Sequence, residues 1–216
     1  MSIRTFHSQL DYVKQELLTM GGQVIEVIER MNESFEENEK SVMEEIIKDD
    51  SLINQLELDM HDKVTLLISK QQPVATDLRK LIVALKISSD LERVADLVVD
   101  IAKQSIRLKN ENLIEYKEKL KSMFVIAEDM VRNSLEAYRQ SDILMAQKIA
   151  LTDDKVDTLY GDIIRELFKI DASEVEVDQI TQLAFIGRYI ERIADYATNI
   201  SEWVVYEVNG KHFDLN

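Results

Sequence analysis

The amino-acid sequence repeats itself, and this duplication constrains the fold more than any other feature. The segment Leu91-Glu92-Arg93-Val94-Ala95-Asp96 recurs as Ile190-Glu191-Arg192-Ile193-Ala194-Asp195, at an offset of 99 residues. Earlier in the two halves the matching residues lie 103 positions apart, so that Leu17, Ile46 and Asp50 return as Leu120, Ile149 and Asp153. The first half therefore holds four extra residues, near Ser69-Lys70-Gln71-Gln72-Pro73. We expect two homologous modules of similar structure, residues 1–109 and 110–216.

Each half of the chain carries apolar residues at steps of three and four, which is the spacing of amphipathic helices. The pattern predicts helices over roughly 5–33, 42–67 and from Pro73 onward in the first half. In the second half it predicts helices over roughly 112–139, 142–169 and 174–208. One proline and five glycines are too few for a β protein with many tight turns. The predicted fold class is all-α, with six long helices arranged as two antiparallel three-helix bundles side by side.

Two consecutive glycines, Gly21 and Gly22, lie inside the first predicted helix. Each glycine costs on the order of 1 kcal/mol relative to alanine in a helix interior. Such a pair indicates either the close approach of a neighbouring helix or a kink. Of the two, close packing is the preferred interpretation.

Charge and composition exclude several classes of protein. The net charge of −15 opposes binding to nucleic acid or to an anionic membrane surface, and it favours cations or a basic face of another protein. The chain has no cysteine, which excludes disulfides, thiolate zinc sites and iron–sulfur clusters. Neither an N-terminal leader nor an apolar run of about 20 residues is present, so we expect a cytoplasmic protein without membrane insertion.

Acidic side chains recur at positions that share a helix face in both halves. Glu92, Asp96 and Asp100 are spaced by four residues, and the matching positions are Glu191, Asp195 and Asn199. The preceding helices add two residues each, Asp50 with Asn54 and Asp153 with Asp157. Carboxylates four apart on a helix repel each other unless a cation neutralises them, and hard cations prefer oxygen ligands. These residues are therefore candidate metal ligands; the alternative is that Glu92 and Glu191 pair with arginines on a solvated face.

Familiar enzyme motifs are absent from the sequence. None of the histidines, His7, His61 and His212, is preceded by the Glu-x-x-His spacing of di-iron bundles. The glycines form no nucleotide-binding cluster. No catalytic residue is predicted.

The stretch from Gln71-Gln72-Pro73-Val74-Ala75 through Asp77-Leu78-Arg79 and Leu85-Lys86-Ile87 to Asp90-Leu91-Glu92-Arg93 and Asp96 resembles the signature of the PhoU family of phosphate-signalling regulators. Met20-Gly21-Gly22 and the second copy, Glu191-Arg192-Ile193-Ala194-Asp195, fit the same signature. The resemblance covers essentially the whole chain.

The resemblance implies two pseudo-symmetric three-helix bundles in a cytoplasmic protein that is not an enzyme. It further implies a negative regulator of phosphate uptake and of the phosphate-starvation response. Its partners would be the ATPase subunit of the phosphate ABC transporter and a sensor histidine kinase, and we expect it to form a homodimer.

The family's motif of an acidic residue followed four positions later by Asp holds iron or zinc in some members. By the resemblance it maps to Glu92 and Asp96 and to Glu191 and Asp195. Asn199 stands where the first repeat has Asp100, and Asn54 stands where the second has Asp157, so the two sites are not expected to be equally occupied. The alternatives are a carboxylate-bridged metalloenzyme, such as a hydrolase, and a metal-free helical adaptor.

Overall fold

The structure, a computed structural model, describes residues 3–109, 113–171 and 175–215. Over these residues the chain forms helices and no strand, which confirms the all-α prediction. The helices are α1 (Ile3–Glu37), α2 (Lys40–Asp49), α3 (Ser51–Gln71), α4 (Ala75–Ile106), α5 (Ile114–Gln140), α6 (Ile143–Leu167) and α7 (Val177–Asn209). Residues 110, 112 and 174, at which a module boundary and two helix starts were predicted, lie outside the described residues.

Local sequence explains where several helices begin and end. The Asp142 carboxylate accepts a hydrogen bond from the Met145 amide at 3.0 Å and so caps the start of α6. Helix α3 ends where Gln72 adopts a left-handed conformation, and Pro73 separates it from α4 as predicted. Helix α7 ends at Gly210, whose φ of 72° is a conformation that favours glycine.

The second predicted helix is divided in the structure into α2 and α3, which meet at Asp50. The backbone of Asp50 itself remains helical, with φ of −47° and ψ of −40°. The break falls in Asp49-Asp50-Ser51, where short polar side chains compete with the backbone for hydrogen bonds. In the second repeat α6 continues through Asp153 without interruption. The predicted six-helix arrangement is therefore retained, except that the second predicted helix is divided in two.

The two glycines of α1 differ in their surroundings. A Cβ atom on Gly21 would lie 2.6 Å from Cδ1 of Leu135, whereas nothing lies within 4 Å of a Cβ atom on Gly22. Helix α1 runs without interruption through both residues. The close approach predicted from the sequence is confirmed, and it is Gly21 that permits α5 to approach.

Helices α4 and α7, the last helix of each repeat, lie at the centre of the molecule. They pack against each other more extensively than any other pair, and the buried apolar residues form one continuous core. Trp203 of α7 donates a hydrogen bond from Nε1 to Asp90 of α4 at 3.0 Å, which joins the two repeats. In the described part of the chain no helix has the length and apolar character that a membrane span requires. The central position of α4 and α7 places their acidic stripes beside the preceding helices.

Candidate metal centres

The second repeat brings three carboxylates into one cluster between α6 and α7. Oxygen atoms of Asp157, Glu191 and Asp195 all lie within 4.8 Å of one another. Glu191 and Asp195 lie one turn apart on α7, and Asp157 faces them because α6 packs along α7. Asp153 lies one turn before Asp157 on α6, close enough to Asp195 for the charge of Asp195 to raise its pKa. The predicted juxtaposition of the two acidic pairs is thus present in the second repeat.

Burial makes Asp153, Glu191 and Asp195 costly to ionise, whereas the side chain of Asp157 is exposed. Asp153 is 5% exposed and Glu191 is 9% exposed, although both are acidic. Burial, and then the neighbouring charge of Asp195, raises the pKa of Asp153 to about 6 and the pKa of Glu191 to about 7. The pKa of Asp195 is raised by burial and by Asp157. The site therefore concentrates negative charge where water cannot fully solvate it.

Arg188 and Arg192 of α7 lie near this cluster, and both lower the pKa of Asp195. Arg188 of α7 forms an ion pair with Glu191, which partly offsets the effect of burial on the Glu191 pKa. The pairing agrees with the alternative prediction that Glu191 forms an ion pair with an arginine. Asp153 and Asp157 have no ion-pair partner among the described residues. Asn199 follows Asp195 by one turn and is half-buried. The cluster thus retains a surplus of negative charge.

In the first repeat the acidic residues lie farther apart, and more of them form ion pairs with basic side chains. The pKa of Glu92 is raised by burial and by Asp96, and the pKa of Asp50 is raised by burial and by Asp96. Arg93 lies 3.5 Å from the Glu92 carboxylate and 3.2 Å from that of Asp96. Asp100 is paired with Lys103 at 2.9 Å. The predicted residues are neighbours, but no three of their carboxylates in the described structure approach as closely as those of the second repeat.

Sequence reasoning missed Glu57, which belongs to the first group. Its charge contributes to the raised pKa of Glu92, and it accepts a hydrogen bond from Ser89 at 2.9 Å. His61 lies beside it, with Nε2 3.1 Å from Glu57 Oε1. The sequence pattern that could have identified Glu57 is a row of polar side chains on one helix face. The row consists of Asp50, Asn54, Glu57 and His61, at steps of four, three and four residues.

Both groups contain buried oxygen atoms that have no hydrogen-bond partner among the residues that the structure describes. Asp153 Oδ1 and Glu191 Oε2 lack a hydrogen-bond partner in the second repeat, as do Asp50 Oδ1 and Asn54 Oδ1 in the first. Leaving a buried polar atom unsatisfied costs about 1–3 kcal/mol. Converging carboxylate and amide oxygens suit a metal cation. The donor sets therefore fit a metal ion, and the second repeat fits it better.

The protein is a duplicated helical bundle. Each of its two repeats carries a pair of carboxylates on its last helix. A family model described as PhoU domain matches residues 17–105 and 120–204, one match in each repeat. The chain belongs to the PhoU family.

Known relatives extend the match to the full length of the chain. The phosphate-specific transport system accessory protein PhoU homolog of Clostridium acetobutylicum is 37% identical over 218 residues, which cover 100% of both chains. The homolog of Zymomonas mobilis is 33% identical, over 97% of this chain and 89% of that protein. The crystal structure of the phosphate transport system regulatory protein PhoU from Streptococcus pneumoniae superposes with a TM-score of 0.91 at 30% identity, over 97% and 99% of the two chains. PhoU from Pseudomonas aeruginosa gives a TM-score of 0.87 at 28% identity, over 95% and 100%.

Proposed function

We propose that this chain is an accessory regulatory protein of a phosphate-specific transport system. The observation that carries the proposal is the full-length similarity to the Clostridium acetobutylicum homolog, whose name states that role. The similarity to the Streptococcus pneumoniae regulatory protein, at nearly complete coverage of both chains, supports it. The protein acts by binding, without catalysing a reaction.

The finer proposal is that the protein is a negative regulator of phosphate uptake and of the starvation response. It binds the ATPase subunit of the phosphate ABC transporter and a sensor histidine kinase in the cytoplasm, as a homodimer. The net charge of −15 supports this mode, because an acidic surface is steered towards basic faces of partner proteins.

A gene deletion tests the regulatory role. When phosphate is plentiful, the deletion strain should express its phosphate-uptake genes at starvation levels, since the protein no longer inhibits the sensor kinase. Capture of the ATPase subunit or of the kinase by the purified protein should weaken as salt rises, because exposed charges are screened beyond about 8 Å at physiological ionic strength. Normal gene expression and uptake in both rich and poor medium would exclude the role. Turnover of phosphate esters by the purified protein would instead favour the metalloenzyme alternative.

We further propose that the two acidic groups hold iron or zinc ions. Asp153, Asp157, Glu191 and Asp195 are the ligands in the second repeat, with Asn199 beside them; Asp50, Glu92, Asp96 and Asp100 are the ligands in the first, together with Asn54. The unsatisfied buried oxygens and the raised pKa values of Asp153 and Glu191 support the proposal. A bound cation would neutralise the clustered carboxylates and link each last helix to the helix before it.

Metal analysis of variants tests these sites. Asp195→Asn should lower the metal bound per chain more than Asp96→Asn does, because the second group is denser and forms fewer ion pairs within the protein. Helicity should remain unchanged. Asp62→Asn is the matched control, since Asp62 is an exposed acid on α3 outside both groups. Unchanged metal content in the Asp96→Asn, Asp195→Asn double variant would exclude these ligands.

A further inference from the structure

The first helices of the two repeats carry a lysine at the same position, and each lysine lines a cavity. Lys14 of α1 and Lys117 of α5 match at the offset of 103 residues. Tyr138, near the end of α5, lines the cavity of Lys14, and Phe35, near the end of α1, lines that of Lys117. Phe35 and Tyr138 match at the same offset. The two cavities are therefore related by the duplication, and each serves as a comparison for the other.

In the cavity of the first repeat, Lys14 lies near an aromatic ring and a carboxylate. Its Nζ atom lies 4.9 Å from the centre of the Tyr138 ring. Glu207 lines the same cavity, together with Lys80 and Asp11. Burial raises the pKa of Glu207, and the positive charge of Lys14 opposes this rise. The ammonium group of Lys14 is thus offset by acidic charge at short range.

The cavity of the second repeat leaves its lysine without a partner. Its volume is about 330 Å³, and it is lined by Phe35, Glu36, Ile114, Lys117, Glu118 and Lys121. Glu36 forms an ion pair with Lys121. Lys117 is half-buried and forms neither an ion pair nor a hydrogen bond with the residues that the structure describes. At the offset of 99 residues, the sequence position of Glu207 is taken by Leu108, which is buried.

A second lysine, Lys40 at the start of α2, lies beside Lys117. Burial, and then the charge of Lys40, lowers the pKa of Lys117. Lys40 is itself held in place, because its Nζ donates a hydrogen bond to the Ile106 carbonyl at 3.0 Å. An ammonium group has three N–H donors, so two remain for a ligand. The second repeat has Ile143 at the position that matches Lys40, so Lys14 has no corresponding neighbour.

We propose that Lys117 is a site of acylation by small acyl phosphates. A lysine that is desolvated and lies next to another cation is an activated nucleophile, because more of its amine is neutral. The amine nitrogen attacks the carbonyl carbon of the acyl phosphate, and the C–N bond forms as the C–O bond to phosphate breaks. The phosphate leaves with the electron pair of that bond, and the proton of the amine passes to water.

The surroundings of Lys117 suit both parts of such a reagent. The free N–H donors of Lys40 lie on the side where the phosphate group is held and released. Phe35 and Ile114 provide apolar contacts for a short acyl chain. The amide product carries no charge, so the cost of keeping an unpaired cation half-buried disappears. Lys117 lies on α5, outside both acidic centres, and the inference is independent of the phosphate-transport role.

Acetylation of the full-length protein by acetyl phosphate tests the site, with mass spectrometry measuring the rate at each lysine. Lys117 should be acetylated at least about threefold faster than Lys14. Both lysines belong to one chain, so its net charge of −15 acts on the reagent in both cases. Lys40→Gln should slow acetylation of Lys117 at least about threefold and leave Lys14 unchanged. The matched control is Lys48→Gln, which removes the same charge from an exposed position of α2.

Several outcomes would overturn the proposal. Acetylation of Lys117 at the rate of Lys14 or more slowly is one of them. An equal effect of Lys40→Gln and Lys48→Gln is another, since it would show that Lys40 has no specific role. Acetylation of Lys117 by acetyl coenzyme A but not by acetyl phosphate would exclude acyl phosphates as the donor. Circular dichroism should confirm that each variant remains helical, so that a change in rate reports on the site.

Discussion

Asp153 is a carboxylate whose charged neighbours are acids, and a hydrogen bond from Thr198 offsets the rise of its pKa only in part. The charged residues that influence its pKa are the acids Asp195, Asp157 and Asp154. Its Oδ1 atom is buried and has no hydrogen-bond partner in the described structure. Either a proton or a bound cation is therefore needed to stabilise this side chain in the folded state. Protons and metal ions should compete for it.

The stability of metal-free protein should therefore fall as pH rises. The pKa of Asp153 is about 6 in the folded protein against 3.8 without burial, so the folded state holds more protons between these values. Its contribution to stability is present below about pH 4 and is lost as pH rises through about 6. In chelator-treated protein, Asp153→Asn should raise the melting temperature at pH 8 and leave it nearly unchanged at pH 4.

The matching control is Asp62→Asn, an exposed acid whose replacement should shift the melting temperature equally at both pH values. Addition of zinc or ferrous ion at pH 8 should stabilise the native sequence and have a smaller effect on Asp153→Asn. A pH profile of unfolding that is identical for the native sequence and for Asp153→Asn would contradict the raised pKa.

At the scale of the helix, α1 shows how two adjacent glycines serve different purposes. Gly21 is buried where Leu135 of α5 approaches, and Gly22 is exposed to solvent. An alanine side chain at position 22 would meet no neighbour, whereas at position 21 it would displace the end of the Leu135 side chain. Only Gly21 is required by the packing of α1 against α5.

Alanine substitution should separate these two effects. Gly22→Ala should stabilise the protein by about 1 kcal/mol through helix propensity, which for a chain of this size raises the melting temperature by about 2–4 °C. Gly21→Ala should gain less or lose stability, because Leu135 must leave its rotamer at a cost of about 0.5–1.5 kcal/mol. Thermal unfolding followed by circular dichroism measures both. Equal stabilisation by the two substitutions would show that Leu135 adapts without cost.

The helices could be predicted from the sequence because the apolar periodicity of each helix is strong. Each helix prediction is also supported by the matching pattern in the other repeat. The break at Asp50 could not, since the matching Asp153 lies in an unbroken helix. The convergence of Asp157 with Glu191 and Asp195 followed from the expectation that successive helices are neighbours. The pairing of Arg188 with Glu191 and of Arg93 with Glu92 and Asp96 depends on side-chain rotamers, which periodicity does not specify.

At the scale of the whole molecule, the largest packing surface joins the two repeats. Leu91, Val94 and Val98 of α4 are fully buried, as are Ile190 and Ile193 of α7. The hydrogen bond from Trp203 to Asp90 belongs to the same surface. Each repeat alone would expose part of this surface to water, at a cost of roughly 25 cal/mol for each Å² of apolar area. The repeats are thus homologous in sequence and interdependent in stability.

The full chain should accordingly unfold in one cooperative transition. Calorimetry should give a single peak of about 150 kcal/mol, at roughly 0.7 kcal/mol per residue near 60 °C, with equal calorimetric and van't Hoff enthalpies. The fragment 1–109 should have low helicity and bind a hydrophobic dye, because α4 lacks its partner α7, and addition of fragment 110–216 should restore helicity. The full-length chain with Asp62→Asn is the control for handling and purification. Two resolved transitions, or a fragment 1–109 that melts cooperatively near the temperature of the full chain, would show instead that each repeat folds as an independent domain.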